Sequence, residues 1–382
     1  MMIALCWLAL IGLFALATWF GKRLGLIAIV SQLLLGTFAL PLLLYWSTPL
    51  GVGAEQLLAP GWLKPLYGIA FSLLLAHILS DVIDLDLQAA SLKIALPSFF
   101  VPFFCGLACA LWLLPPLDSL TAIAIGLLFA LTAIPVLFLY LQDLAYPAAR
   151  TRTLMQAAIL MDLLCWSIFA LAQGSRDPSS LAWPLLAAAS PLLLRLLGLR
   201  HAVLNGSLFL ALLLLLQQMG YNVLVFGIAY LLLAAGLRLP LRLPLPAKAF
   251  TALQTWLAVP LILAYGLLQI DWHGLAADFG FTATQFIALL ALPAISKLAG
   301  SWLGLSWAAG GLELSQSKWR ESILLNTRGL TEIVFLNLLL HQQVISTQLY
   351  FALMLMGLLC TLLPATLRRS TNLEAKSRYE VS

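Results

Sequence analysis

Apolar runs of about twenty residues, following one another from Met1 to Leu367, constrain this chain more than any other feature. A helix needs about 20 apolar residues to cross the hydrocarbon of a bilayer, whereas a barrel strand needs about 10 that alternate in character. The runs here are continuous rather than alternating. Formed as helices, they satisfy their own backbone hydrogen bonds inside lipid. Composition closes off the soluble alternative. Hydrophobic residues make up 63% of the 382 and charged residues 9%, against roughly 25% charged in an average soluble domain. The chain reads as an all-α polytopic membrane protein.

Thirteen spans are expected, near 2–20, 25–47, 65–80, 92–114, 119–142, 151–173, 181–195, 201–217, 222–238, 247–270, 283–308, 318–342 and 346–366. Lys22 and Arg23 follow the first run instead of preceding it, which predicts an uncleaved anchor with the N-terminus outside. Loop charge tests that orientation. It collects sixteen Lys and Arg on the cytoplasmic side and leaves only Lys64 and Arg176 opposite, a positive-inside bias that an even number of spans would scramble. The net charge of +5 therefore reports orientation, and no nucleic-acid patch is read from it. The clearest linker is the proline- and arginine-rich stretch 237–250, and residues 368–382 form a short cytoplasmic tail. The five cysteines all lie in apolar runs and read as small packed residues. No nucleotide-binding motif and no cofactor site is expected.

Four ionisable side chains fall well inside spans: Asp162, Lys297, Arg328 and Glu332. All four lie near the middle of their runs, hence near the bilayer midplane. Each charge costs about 2.5–3.5 kcal/mol there, and four unpaired ones would cost roughly 10–14 kcal/mol, comparable to the whole stability of a domain. They must face the interior, pair, or line water. One reading is two buried structural ion pairs. The other, which the poor return on buried pairs favours, is an ion or proton site with supporting charges.

Two helix interruptions fall at the same depth. In "FALTAIPVLF" Thr132 precedes Pro135 by three residues, and proline removes a backbone donor and obstructs the helix before it. In "NTRGLTE" Gly329 follows Arg328 and permits an unwound turn. Spans four to six and eleven to thirteen have opposite topology, and the interruptions occupy matching places in the two trios. That is the arrangement of inverted-repeat secondary transporters, whose sites lie at paired broken helices.

"LNTRGLTEIVFLNLLLHQQVIS" resembles the penultimate-helix motif of the monovalent cation:proton antiporter family, in the branch with potassium-efflux antiporters and Nap-type sodium/proton exchangers. "ALTAIPVLFLYLQDL" resembles its broken-helix motif, "AAILMDLLCW" the helix with its ion-binding aspartate, and "AISKLAG" its lysine-bearing helix. "LAVPLILAYGLLQID" and "GLIAIVSQLLLGTFALPLL" resemble two further helices, all in family order. The resemblance implies a cation/proton exchanger domain over 1–367, with a moving core near 92–173 and 283–366 and the dimerisation and linking helices elsewhere, assembled as a homodimer. It implies that Asp162 binds the transported cation (Na+ or K+) or the proton, with Thr132 and Lys297 beside it. Pro135 then belongs to the first broken helix, and Arg328, Gly329 and Glu332 to the second, as charge-compensating and helix-breaking residues. Two departures stand out. Met161 occupies the position where the family has Asn or Asp, and Gln32, next to Ser31, replaces the glutamate of the early helix.

The chemistry fits the resemblance. A buried carboxylate can hold a proton or a cation but not both, which is what exchange requires, and hydroxyls, carbonyls and water complete an alkali-ion shell. Lys297 either neutralises Asp162 between cations or neutralises helix ends; both stay open. Arg328 stays charged at any ordinary pH, so it cannot carry protons. It is expected to neutralise carbonyl ends or to pair with Glu332, four residues away. A channel or transport-silent sensor on the same fold is the alternative. An integral-membrane enzyme is not expected, since no HExxH or GxSxG pattern occurs. The expected location is the inner membrane of a bacterium.

Overall fold

A computed structural model of the chain describes residues 2–23, 31–32, 34–40, 54–80, 88–114, 116–144, 146–174, 179–199, 201–219, 221, 223–244, 252–268, 280–309 and 315–364. The described residues form helices and no strand. In chain order they are α1 (Met2–Arg23), α2 (Ala54–Leu58), α3 (Leu63–Ser80), α4 (Ala89–Trp112), α5 (Ser119–Ala130), α6 (Ile134–Asp143), α7 (Ala148–Gly174), α8 (Ser179–Ala188), α9 (Ser190–Leu196), α10 (Ala202–Gln218), α11 (Val223–Gly236), α12 (Val259–Leu268), α13 (Ala283–Ala309), α14 (Ser315–Leu325), α15 (Leu330–His341) and α16 (Thr347–Leu362). Five-residue π-helical segments occur at Leu35–Ala39 and Gln254–Ala258. Among the described residues three helices are long and apolar enough to cross a bilayer unbroken: Ala89–Trp112, Ala148–Gln173 and Ala283–Ala309. Most of the span expected at 25–47, the acidic stretch 81–87 and the tail 368–382 lie outside the described residues.

The chain divides into two compact units, Met1–Asp86 with Leu163–Trp272, and Leu87–Asp162 with His273–Ser382. In the first unit α3 packs on α10 and α12, and α8 on α11. Gln32 is buried there and donates to the Thr18 hydroxyl at 2.9 Å and the Thr255 carbonyl at 3.1 Å. The residue that replaces the family's glutamate thus holds helices together.

The second unit is built around α4, packed between α5 and α13. Small residues allow this close approach, as in other lipid-embedded helix pairs. A Cβ on Gly300 or Gly304 of α13 would lie 2.6 Å from the Pro97 carbonyl oxygen or 2.5 Å from that of Ile94. One on Gly126 of α5 would lie 2.9 Å from the Phe103 carbonyl oxygen. Polar ties join α7 to this unit: Ser91 donates to Gln156 at 2.9 Å, and Arg150 grips Glu321 through two bonds of 2.7 and 2.6 Å.

The interrupted spans break where expected. Residues 131–133 are not helical, and α6 resumes with Pro135 in its first turn. A regular helix would ask residue 135 for an N–H to the Leu131 carbonyl, and proline has none. At the start of a helix the missing donor costs nothing. Residues 326–329 separate α14 from α15. Gly329 has φ 162°, which is extended backbone open to any residue. The turn is unwound at Gly329 as the sequence argument expected, but the sign of φ does not by itself require a glycine there.

Candidate functional site: two broken helices crossing beside Asp162

The two interruptions meet. The Ala133 N–H donates to the Thr327 carbonyl at 2.9 Å. The Thr132 hydroxyl donates to the Leu325 carbonyl at 3.1 Å, and the Thr331 hydroxyl to the Thr132 carbonyl at 3.4 Å. Each broken segment thus supplies partners for backbone groups that the other has exposed, the condition for irregular backbone at membrane depth.

The end of α5 is the most elaborately compensated part of the crossing. A helix end presents its last carbonyls without intrahelical donors and about half a negative charge. Here the Arg328 guanidinium donates to the Leu128 carbonyl and, at 2.6 Å, to that of Phe129. The Lys297 ammonium donates to the next carbonyl, Ala130. Two cations therefore close three successive carbonyls, and both are fully buried. Arg328 reaches Glu332 as well, at 3.5 Å. That is the longest of its contacts, so of the two roles expected from the sequence, closing carbonyl ends is the stronger and the i,i+4 pair the weaker.

Glu332 lies in the first turn of α15, 2% exposed. Its carboxylate occupies the space beside Gly357 of α16, where a Cβ would come within 2.6 Å of Oε2. The Thr361 hydroxyl lies 2.7 Å from the carbonyls of both Arg328 and Gly357, and the Tyr140 hydroxyl donates to the Thr361 carbonyl at 3.0 Å. The short helices α6, α15 and α16 are thereby tied to the crossing.

Asp162 sits in the middle of α7, 3% exposed. Its neighbour Met161 places Sδ 3.3 Å from Lys297 Nζ. Lys297 links the aspartate's helix to the end of α5. No group of three or more His, Cys, Asp or Glu side chains able to hold a metal occurs among the described residues. A carboxylate such as that of Asp162 is a hard oxygen donor, which suits alkali cations better than transition metals.

No family model matches the sequence. The Na(+)/H(+) antiporter NhaS4 of Synechocystis sp. is 26% identical over 309 residues, covering 71% of this chain and 72% of that protein. The sodium proton antiporter MjNhaP1 of Methanocaldococcus jannaschii superposes with a TM-score of 0.54 at 15% identity, over 97% of this chain and 96% of that one. In sequence and in fold the chain is similar to these cation:proton antiporters. It is a multi-pass membrane protein with the all-α fold of the sodium proton antiporter it superposes on.

Of the residues singled out from the sequence, Thr132, Lys297, Arg328, Gly329 and Glu332 gather at or beside the crossing of this antiporter fold, and Asp162 joins them through Met161 and Lys297. For Pro135 only the backbone position is described. Sequence reasoning missed Thr361 and Gly357, which carry no charge and sit in an unbroken apolar helix. It also missed the Arg150–Glu321 pair. Glu321 is 1% exposed, but in sequence it stands beside Arg320 near the start of its run, and nothing there singles it out. The neighbouring Tyr146 phenol is pushed up to about 12 by burial and then by the Glu321 carboxylate, so it stays neutral beside that pair.

Proposed function

We propose that the chain exchanges sodium ions for protons by alternating access, with Asp162 as the shared cation and proton site. The observation that carries this reading is a buried carboxylate on α7 whose neighbouring residue touches the lysine that caps a broken helix. A cation would take oxygens from the Asp162 carboxylate and the Thr132 hydroxyl. The latter donates its proton to Leu325, which leaves its lone pairs available to a metal ion. Sodium is preferred because both relatives are named for sodium; nothing in the comparisons favours potassium.

The Lys297 ammonium serves the Ala130 carbonyl and, with three donors, can cap that helix and also neutralise Asp162 between cations. A single carboxylate at the site makes one-for-one, electroneutral exchange the simplest stoichiometry. The second unit, Leu87–Asp162 with His273–Ser382, is the moving core. The first mediates a homodimer, and the N-terminus faces outward in the inner membrane.

Everted vesicles carrying the full chain test the site. Addition of NaCl should dissipate an imposed pH gradient, and Asp162→Asn should abolish this while the protein still inserts and purifies as a folded species. Full exchange by the variant would remove Asp162 from the role. A wild-type protein that inserts but leaves the gradient intact would instead support a transport-silent member of the fold.

A further inference from the structure

Sodium binding at Asp162 leaves one donor unaccounted for. Met161 stands where the resemblance leads one to expect an amide or carboxylate. Its thioether is turned to Lys297, and sulfur is a poor ligand for a hard cation. Another oxygen is needed if the shell is to be completed by the protein.

The crossing contains a candidate. The Thr327 hydroxyl is fully buried and has no hydrogen-bond partner. Some buried hydroxyls return to the helix that carries them, as Thr153 to the Ala149 carbonyl, Ser322 to Lys318 and Thr361 to Gly357; others, such as Ser91, Thr132 and Thr331, reach acceptors on another segment. Thr327 does neither: it lies on non-helical backbone past the end of α14, and its hydroxyl meets no acceptor. The other partnerless buried hydroxyls are serines within helices. An unsatisfied buried polar group calls for an explanation such as an ion or water. Thr327 stands where one belongs, with its own carbonyl bonded to Ala133 and the Leu325 carbonyl bonded to Thr132.

The surroundings favour a cation over a neutral ligand. The last carbonyls of α5 are met by Arg328 and Lys297. Those of α14, from Ser322 to Leu325, are met among the described residues by backbone N–H groups and the Thr132 hydroxyl. Thr327 follows directly on that helix end, whose partial negative charge favours a cation nearby.

We infer that Thr327 is a sodium ligand, supplying from the second broken helix the oxygen that Met161 does not provide beside Asp162. This rests on the proposed exchange at Asp162 and adds to it a specificity-determining residue. Thr132 and Thr327 then hold one ion from two crossing segments, and cation occupancy bridges the crossing.

The test uses the purified full chain in proteoliposomes, with Thr327→Val, which keeps the shape and removes the oxygen, and Thr327→Ser, which keeps the oxygen. The apparent Km for Na+ is measured beside the maximal rate, and Na+-dependent protection against thermal unfolding gives a readout apart from transport. The valine variant should raise the Km and shift the protection curve by about threefold to tenfold, the span of one hydroxyl's contribution, with the maximal rate retained. The serine variant should restore both. If the valine variant does not fold, Thr327→Cys, with sulfur in place of oxygen, carries the same expectation. An unchanged Km and protection curve in the oxygen-free variant overturns the inference. So does a fall in rate and stability, equal in Val and Ser, with sodium dependence intact, since that marks a structural role. A wild-type protein that neither exchanges nor is protected by sodium fails at the exchange itself. Wild-type exchange with an indifferent valine variant removes Thr327 alone.

Discussion

Gly300→Ala probes the packing that places Lys297. Gly300 is one helical turn beyond Lys297 on α13 and faces α4. An added Cβ would stand 2.6 Å from the Pro97 carbonyl oxygen, 3.1 Å from Val101 Cβ and 3.2 Å from Pro102 Cδ. Ordinary contact begins at 3.4 Å, so the oxygen must retreat by 0.8 Å, the difference between those two distances. That oxygen is backbone in a proline-containing helix, and no rotamer change can absorb the shift. Overpacking of this kind costs about 1–3 kcal/mol, against which alanine gains about 1 kcal/mol in helix propensity over glycine. The net expectation is a loss of up to about 2 kcal/mol, together with slower exchange as Lys297 is displaced from the Ala130 carbonyl. Gly12→Ala is the matched control. It makes the same chemical change on α1, where a Cβ meets nothing within 4 Å, so it should be neutral or stabilising. Thermal unfolding of both variants in detergent, followed by the fraction remaining monodisperse, reads the difference. If Gly300→Ala is as stable as Gly12→Ala, the close approach of α4 and α13 is not a constraint and the reasoning fails.

Arg328→Met strips the α5 end of two donors and leaves Glu332 without its cation. Breaking a buried charge arrangement from one side costs about 3–5 kcal/mol, so the variant should unfold well below wild type, and adding Glu332→Gln should recover part of the loss. Arg150→Ala leaves the Glu321 carboxylate buried beside α7; a loss of about 1.5–3 kcal/mol, the worth of hydrogen bonds to a charged group, is expected in the same melt. Wild-type exchange in proteoliposomes should not respond to an imposed voltage; clear voltage-driven flux would show that Lys297 moves a proton as well as capping α5.

What was legible in the sequence was whatever membrane depth makes expensive. Asp162, Lys297, Arg328 and Glu332 could be found because a charge in hydrocarbon needs a reason, and Pro135 because a missing donor must end a helix. The direction of those charges was not legible. Arg328 and Glu332 share a helix face at i,i+4, so an ion pair and the closing of carbonyl ends were both open. The guanidinium does both, and its shorter bonds run to Leu128 and Phe129, two hundred residues and 199 residues away in sequence, a distance no local spacing reveals. Likewise Thr361 and Gly300 are unremarkable letters in apolar runs. Their importance comes from what a neighbouring backbone does, and no periodicity in their own segment carries that information.

The inverted arrangement adds a physical asymmetry. Opposed half-helices bring two C-terminal ends, those of α5 and α14, to one crossing, and each presents carbonyls without intrahelical donors. At α5 fixed cations, Lys297 from α13 and Arg328 from the break before α15, meet the carbonyls. At α14 the recorded partners are neutral. If both ends were closed by side-chain cations, a sodium ion would meet repulsion from every side. If neither were, the crossing would draw cations so strongly that release would be slow. Under the proposed function, fixed charge at one end holds the crossing together through the part of the cycle without sodium, while the weaker field at the other end is left for the transported ion. On this account, introducing a lysine near the end of α14, at Asn326, should mimic the bound ion. Exchange would fall, and the sodium-dependent rise in thermal stability would fall with it, while the protein without sodium would be no less stable than wild type. A lysine variant that still gains stability from sodium would show that the ion binds away from that end.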